Sequence, residues 1–139
     1  MQMFEIAAFA GAFAFVVYAL GLASSSSLAA GTWRIPAAFS FAFLAFSVYC
    51  VAVDGPTGFW PVHSQSAWGN QVWFDLLLAA GVSLAFLVPE ARKHGMNPLP
   101  WVVLVILTGS IGLLAMVARI LYLKEVATIS GSAATARAL

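Results

Sequence analysis

LPWVVLVILTGSIGLLAMVARILYL, residues 99–123, is predominantly apolar with a single charge, Arg119, and its length decides how the chain is read. A helix needs about 20 predominantly apolar residues to cross roughly 30 Å of hydrocarbon. Three further runs meet that length: residues 4–23, 35–53 and 70–88. Polar or turn-forming segments separate them: Ser24 to Arg34, then Asp54-Gly55-Pro56-Thr57-Gly58 through Trp68-Gly69, then Pro89 to Pro98. A backbone in hydrocarbon must satisfy its own hydrogen bonds, so only helices or a closed barrel can cross, and continuous apolar runs lack the alternation of barrel strands. The expectation is an all-α integral membrane protein, a compact bundle of four transmembrane helices in one domain over residues 1–139, with a short C-terminal tail from 124 to 139.

Composition points the same way. Of 139 residues, 63% are hydrophobic and 8% charged, where soluble domains carry roughly 25% charged residues. The mean hydropathy is +0.97. A net charge of +1 with scattered basic residues leaves no footprint for nucleic acid. The single cysteine, Cys50, excludes an intramolecular disulfide and a cysteine-based metal site. The opening MQMFEIAAFA lacks the Lys/Arg region of a secretory signal and carries Glu5, so the first helix is expected to be retained.

Four crossings place Arg34, Arg92 and Lys93 on one side, with Lys124 and Arg137 on the other. The middle loop has no Lys or Arg, which tips both termini away from the cytoplasm. Arg34, Arg92 and Lys93 then serve as headgroup anchors. Small residues four apart, such as Ala7 with Gly11 and Gly81 with Ala85, mark places where helix backbones can approach closely.

Charges inside such helices are costly and are candidates for function. Asp75 and Arg119 are the two that stand out, at matching depths if the third and fourth helices are antiparallel neighbours. They are expected to form a structural ion pair, with Glu5 near the same polar end; the sharper alternative makes Asp75 or Glu5 a general acid. Asn70 is expected as the N-cap of the third helix. Trp60, Trp68, Trp73 and Trp101, with His63, read as an interfacial aromatic belt, or alternatively as a docking surface or lid. His63 and His94 lie in loops on opposite sides, which argues against histidine-held haem, metal or pigment. Phe39, Phe43 and Phe46 recur at helical spacing, as packing, lipid contact or a slot for an isoprenoid, quinone or carotenoid tail. No nucleophile elbow, phosphate loop, metal-ligand spacing or Asp-rich prenyl-diphosphate motif is present, so no cofactor or metal is expected.

WGNQVWFDLLL (68–78), PEARKHGM (89–96), PWVVL (100–104) with Gly109, and LYLKE (121–125) resemble a family of small bacterial four-helix membrane proteins that carries only a domain-of-unknown-function label. The likeness covers about residues 68–125 and rests on Asp75, Glu90, Arg92, Gly95, Trp101 and Gly109. It implies a four-helix fold in a bacterial inner membrane and leaves function open. Glu90-Ala91-Arg92-Lys93 with Gly95 also reads as a helix stop, with cations at the carbonyl end and glycine in the left-handed cap. Two functions stay open. One is a non-catalytic accessory or structural subunit, among membrane lipids, docked on a larger respiratory, photosynthetic or transport complex. The other is a membrane-embedded enzyme acting on an isoprenoid or other lipid.

Overall fold

The computed structural model describes residues 3–24 and 30–137, and among these the chain is helical, without strands. It divides into two compact units, Met1–Ala30 and Gly31–Leu139. The first contains α1 (Met3–Ser24), with Glu5 in its first turn and the Ser24 hydroxyl closing its end on the Leu20 carbonyl at 2.6 Å. The second contains α2 (Arg34–Asp54), α3 (Phe59–Ser64), α4 (Ala67–Lys93), α5 (Leu99–Thr108) and α6 (Ser110–Arg137). Three helices, α1, α2 and α4, are long and apolar enough to cross a membrane.

Two expected boundaries move. The middle loop contains α3, and α4 begins at Ala67 because Ser66, in extended conformation, accepts the Gly69 N–H on its hydroxyl at 2.9 Å. Ser66, not Asn70, is therefore the N-cap, and Asn70 lies inside the helix. At its other end α4 runs through Pro89, where a loop was expected, and stops at Lys93. There Met96 N–H donates to Ala91 O at 3.0 Å and Gly95 N–H to Arg92 O at 3.0 Å, with Gly95 at φ +72. This is the paired 6→1 and 5→2 closure that a left-handed glycine allows. Gly95 thus occupies the cap position its sequence context predicts.

The larger departure is the expected fourth helix. Residues 99–123 form two helices, because the backbone at Gly109 turns to φ 60, ψ −123, a region that only glycine enters without strain. Beyond that corner α6 doubles back on α5. A Cβ at Gly112 would lie 2.7 Å from Val105 N and 2.8 Å from the Leu104 carbonyl carbon, so α6 rests directly on the α5 backbone. Hydrophobicity alone could not reveal this, since both arms of the hairpin are as apolar as one continuous span.

The buried core sits where the C-terminal part of α4 meets the hairpin. Ala91, Met116 and Ile120 are buried together, with Leu84, Leu87, Val88, Met96 and Trp101 packed around them. Trp101, expected in an interfacial belt, is half-buried against this core. From the other side, α2 packs antiparallel on α6: the Ser40 hydroxyl donates to Ile111 O at 3.0 Å, and Trp33 meets Tyr122 edge-on at 5.5 Å. Met116 and Ile120 share the core with Leu84, Leu87, Val88 and Ala91, and Lys124, later on α6, reaches Glu90 at the end of α4, so α4 and α6 run in the same direction. Gly81 has nothing within 4 Å of where its Cβ would be, so it is not the close helix contact its spacing suggested.

Candidate functional site

Directions of the helices decide where the charges fall. Because α6 runs alongside α4 and in parallel with it, Lys124 arrives at the end of α4, on the same side as Lys93 and not across from it. Lys124 Nζ lies 2.7 Å from Glu90 Oε1 and Lys93 Nζ 3.1 Å from Glu90 Oε2, with His94 Nε2 at 3.4 Å from Oε1. Nearby, Gly31 N–H donates to Glu125 Oε2 at 2.9 Å, which fastens the start of the second unit to α6. Glu90 and Glu125 thus join α4, α6 and the entry to α2 in one polar end. With its charge answered by two ammonium groups, Glu90 acts as a clamp between helices.

All six Lys and Arg of the chain belong to this end of the second unit. Arg34 opens α2, Arg92 and Lys93 close α4, Arg119 and Lys124 sit on α6 as it returns, and Arg137 ends the same helix. The opposite end, where α2 finishes and α4 begins, holds Asp54, His63 and Asp75 and no Lys or Arg.

The expected Asp75–Arg119 ion pair does not form among the described residues. Asp75 lies fifteen positions before Glu90 on α4, about 22 Å at 1.5 Å per residue, whereas Arg119 precedes Lys124 by five, about 7 Å. On parallel helices that leaves the two roughly 15 Å apart along the axis. The expected pair requires α6 to be antiparallel to α4. Arg119 instead lies over the Tyr122 ring, its Cζ 5.5 Å from the centroid. Glu5 belongs to α1 and is described with that helix alone.

Asp75 lines an open groove of about 790 Å³ together with Ser64, Asn70, Gln71, Phe74 and Leu78. Gln71 and Asp75, four residues apart, share a helix face; Asn70 borders the same groove. Gln71 is the residue sequence reasoning passed over, and its i, i+4 relation to Asp75 was the available signal. Among the described residues Asp75 has no ion pair, and it is exposed.

Beside this groove an aromatic cluster fastens α3 onto α4. Trp73 stacks with Phe59 at 5.9 Å, meets Trp60 edge-on at 6.3 Å and lies 5.3 Å from the His63 ring. His63 Nδ1 is 3.3 Å from Gly69 O and donates to it in the tautomer protonated there. Trp68 is 80% exposed. The candidate belt residues therefore separate: Trp60, His63 and Trp73 cluster, Trp68 stands free of them, and Trp101 belongs to the core. Phe43 and Phe46 stack at 6.5 Å and Phe46 and Tyr49 at 6.4 Å along one exposed face of α2. Among the described residues no three His, Cys, Asp or Glu side chains are grouped to hold a metal.

No family model, curated protein or solved structure matches the chain.

Proposed function

We propose that the chain is a small integral membrane protein of the bacterial inner membrane that serves as a non-catalytic accessory subunit, covered on its Asp75 face by a larger membrane protein. The observation that carries this reading is Asp75 itself, an exposed carboxylate with no ion pair among the described residues, on a helix apolar enough to cross a membrane. A charge at the centre of a spanning helix costs about 2.5 to 3.5 kcal/mol on insertion scales, and Asp75 lies about 12 Å along α4 from its first residue. A partner helix that offers a cation or hydrogen-bond donors to Asp75, Asn70 and Gln71 removes that cost. Exposed Phe74 and Leu78 beside them supply an apolar surround.

The charge distribution supports one orientation. With every Lys and Arg at one end of the second unit, that end faces the cytoplasm, and the His63 end faces away. On this reading α5, ten residues long and so about 15 Å, enters the bilayer only halfway before Gly109 returns the chain. The C-terminal part of α6 then lies on the cytoplasmic side, unlike in the four-crossing topology.

Capture of the tagged chain from native membranes in mild detergent tests the subunit reading. The expected result is a stoichiometric integral membrane partner that is retained by wild type and Asp75→Glu and lost with Asp75→Leu, and that crosslinks to a photoreactive group at Gln71. A wild-type chain that emerges as a monomer, or a partner indifferent to Asp75, would overturn it. The same groove favours a second reading, in which Asp75 is the general acid of an enzyme acting on an isoprenoid-like lipid. That reading predicts an Asp75→Asn variant that stays assembled and loses lipid conversion.

A further inference from the structure

At the basic end, both lysines are engaged by Glu90, and Glu125 is bonded to the Gly31 N–H. Arg34 and Arg119 have no carboxylate partner among the described residues, and each lies beside one ring of an aromatic contact. Trp33 and Tyr122 meet edge-on with centroids 5.5 Å apart. Arg34 Cζ lies 5.7 Å from the Trp33 ring, and Arg119 Cζ lies 5.5 Å from the Tyr122 ring. Two guanidinium groups thus flank one aromatic pair. Trp33 just before α2, Ala37 of α2, and Ala118, Arg119 and Tyr122 of α6 line a groove of about 300 Å³ with an almost wholly apolar floor.

We propose that this groove binds one anionic phospholipid of the cytoplasmic leaflet, its phosphate on Arg119 and the start of an acyl chain along Ala37 and Ala118. The inference rests on the membrane reading above but not on the accessory role. Guanidinium presents paired donors that match phosphate oxygens, and Trp and Tyr rings settle at headgroup level. Arg119 sits about 7 Å nearer the apolar part of α6 than Lys124, a depth from which its side chain reaches up to a headgroup phosphate. The alanines leave room where larger side chains would close the space between α2 and α6. The groove's lining carries one cation, Arg119, and no carboxylate, so its charge complements a net anionic lipid. The volume suits a headgroup with its first methylenes, since about 300 Å³ is the lower limit of ligand pockets.

The test uses the full chain in nanodiscs of phosphatidylcholine with and without phosphatidylglycerol, followed by native mass spectrometry of the released protein. Wild type is expected to retain one phosphatidylglycerol. Loss of a hydrogen bond to a charged group costs about 1.5 to 3 kcal/mol, so Arg119→Gln should bind roughly ten- to a hundredfold more weakly. Arg119→Lys should fall between the two. Ala37→Leu, which fills the groove and keeps both charges, should also lose the lipid, and melting in lipid-free detergent shows whether each variant stays folded. Equal retention of phosphatidylcholine, wild-type lipid binding by folded Arg119→Gln, or displacement by inorganic phosphate as effective as that by phosphatidylglycerol would overturn the proposal. A chain that fails to enter the nanodisc bilayer would overturn the membrane reading itself.

Discussion

Changing Gly112 to alanine is expected to destabilise the protein, although alanine is the better helix former by about 1 kcal/mol. The added Cβ would stand 2.7 Å from Val105 N and 2.8 Å from both Val105 Cα and the Leu104 carbonyl carbon, all backbone atoms of α5. No rotamer change can relieve such contacts, so α5 must move off α6, and overpacking of this kind costs about 1 to 3 kcal/mol. Gly81→Ala in α4 is the matched comparison. It also places alanine inside a helix, but with nothing within 4 Å of the new atom, so it should leave stability unchanged or raise it. Thermal melts of the two variants in one detergent should therefore shift in opposite directions, and a shared direction would mean that the hairpin is not packed at Gly112.

Met116→Ala should produce a loss of similar size by the opposite means. Met116 is fully buried and lies at the centre of the contact between α4, α5 and α6, with Ala91, Ile120, Leu87 and Trp101 around it. Truncation of a buried methionine typically costs about 2 to 5 kcal/mol, part transfer from water and part cavity. In a bilayer the separated helices keep their side chains in hydrocarbon, so the transfer part shrinks and packing dominates, which places the expected loss near 2 kcal/mol. Met116→Leu keeps the volume and should cost less than about 1.5 kcal/mol. Equal melts for the alanine and leucine variants would place Met116 outside the core.

Much of this fold was legible in the sequence because composition and run length are strong signals. The all-helical character and the apolar helices α1, α2 and α4 follow directly from the runs at 4–23, 35–53 and 70–88. The helix stop at Gly95 was readable because a left-handed cap needs glycine and the preceding Arg92 and Lys93 suit a helix C-terminus. The corner at Gly109 was not. One glycine inside an apolar run is tolerated in a spanning helix, and nothing local distinguishes a continuous helix from a hairpin; only the tertiary contact of Gly112 with α5 does. That single reversal carried through to the site. It turned α6 parallel to α4, moved Lys124 to Glu90, separated Arg119 from Asp75 and gathered the basic residues at one end. Trp101 was misplaced for a related reason, since a tryptophan at a helix start suits an interface as well as a core, and the returning α6 is what buries it.

The most direct test of this account asks which side of the membrane the C-terminal part of α6 occupies. In a Cys50→Ala background, single cysteines at Thr57, Asn97 and Ser132 can be labelled in intact cells with a membrane-impermeant maleimide, before and after permeabilisation; all three positions are exposed. The proposed orientation, with the α5–α6 hairpin entering the bilayer only partway, predicts that Thr57 labels from outside, while Asn97 and Ser132 are both protected until the cells are opened. Labelling of Ser132 together with Thr57, on the side opposite Asn97, would mean that residues 99–123 cross the bilayer once as a continuous helix, and would contradict the account.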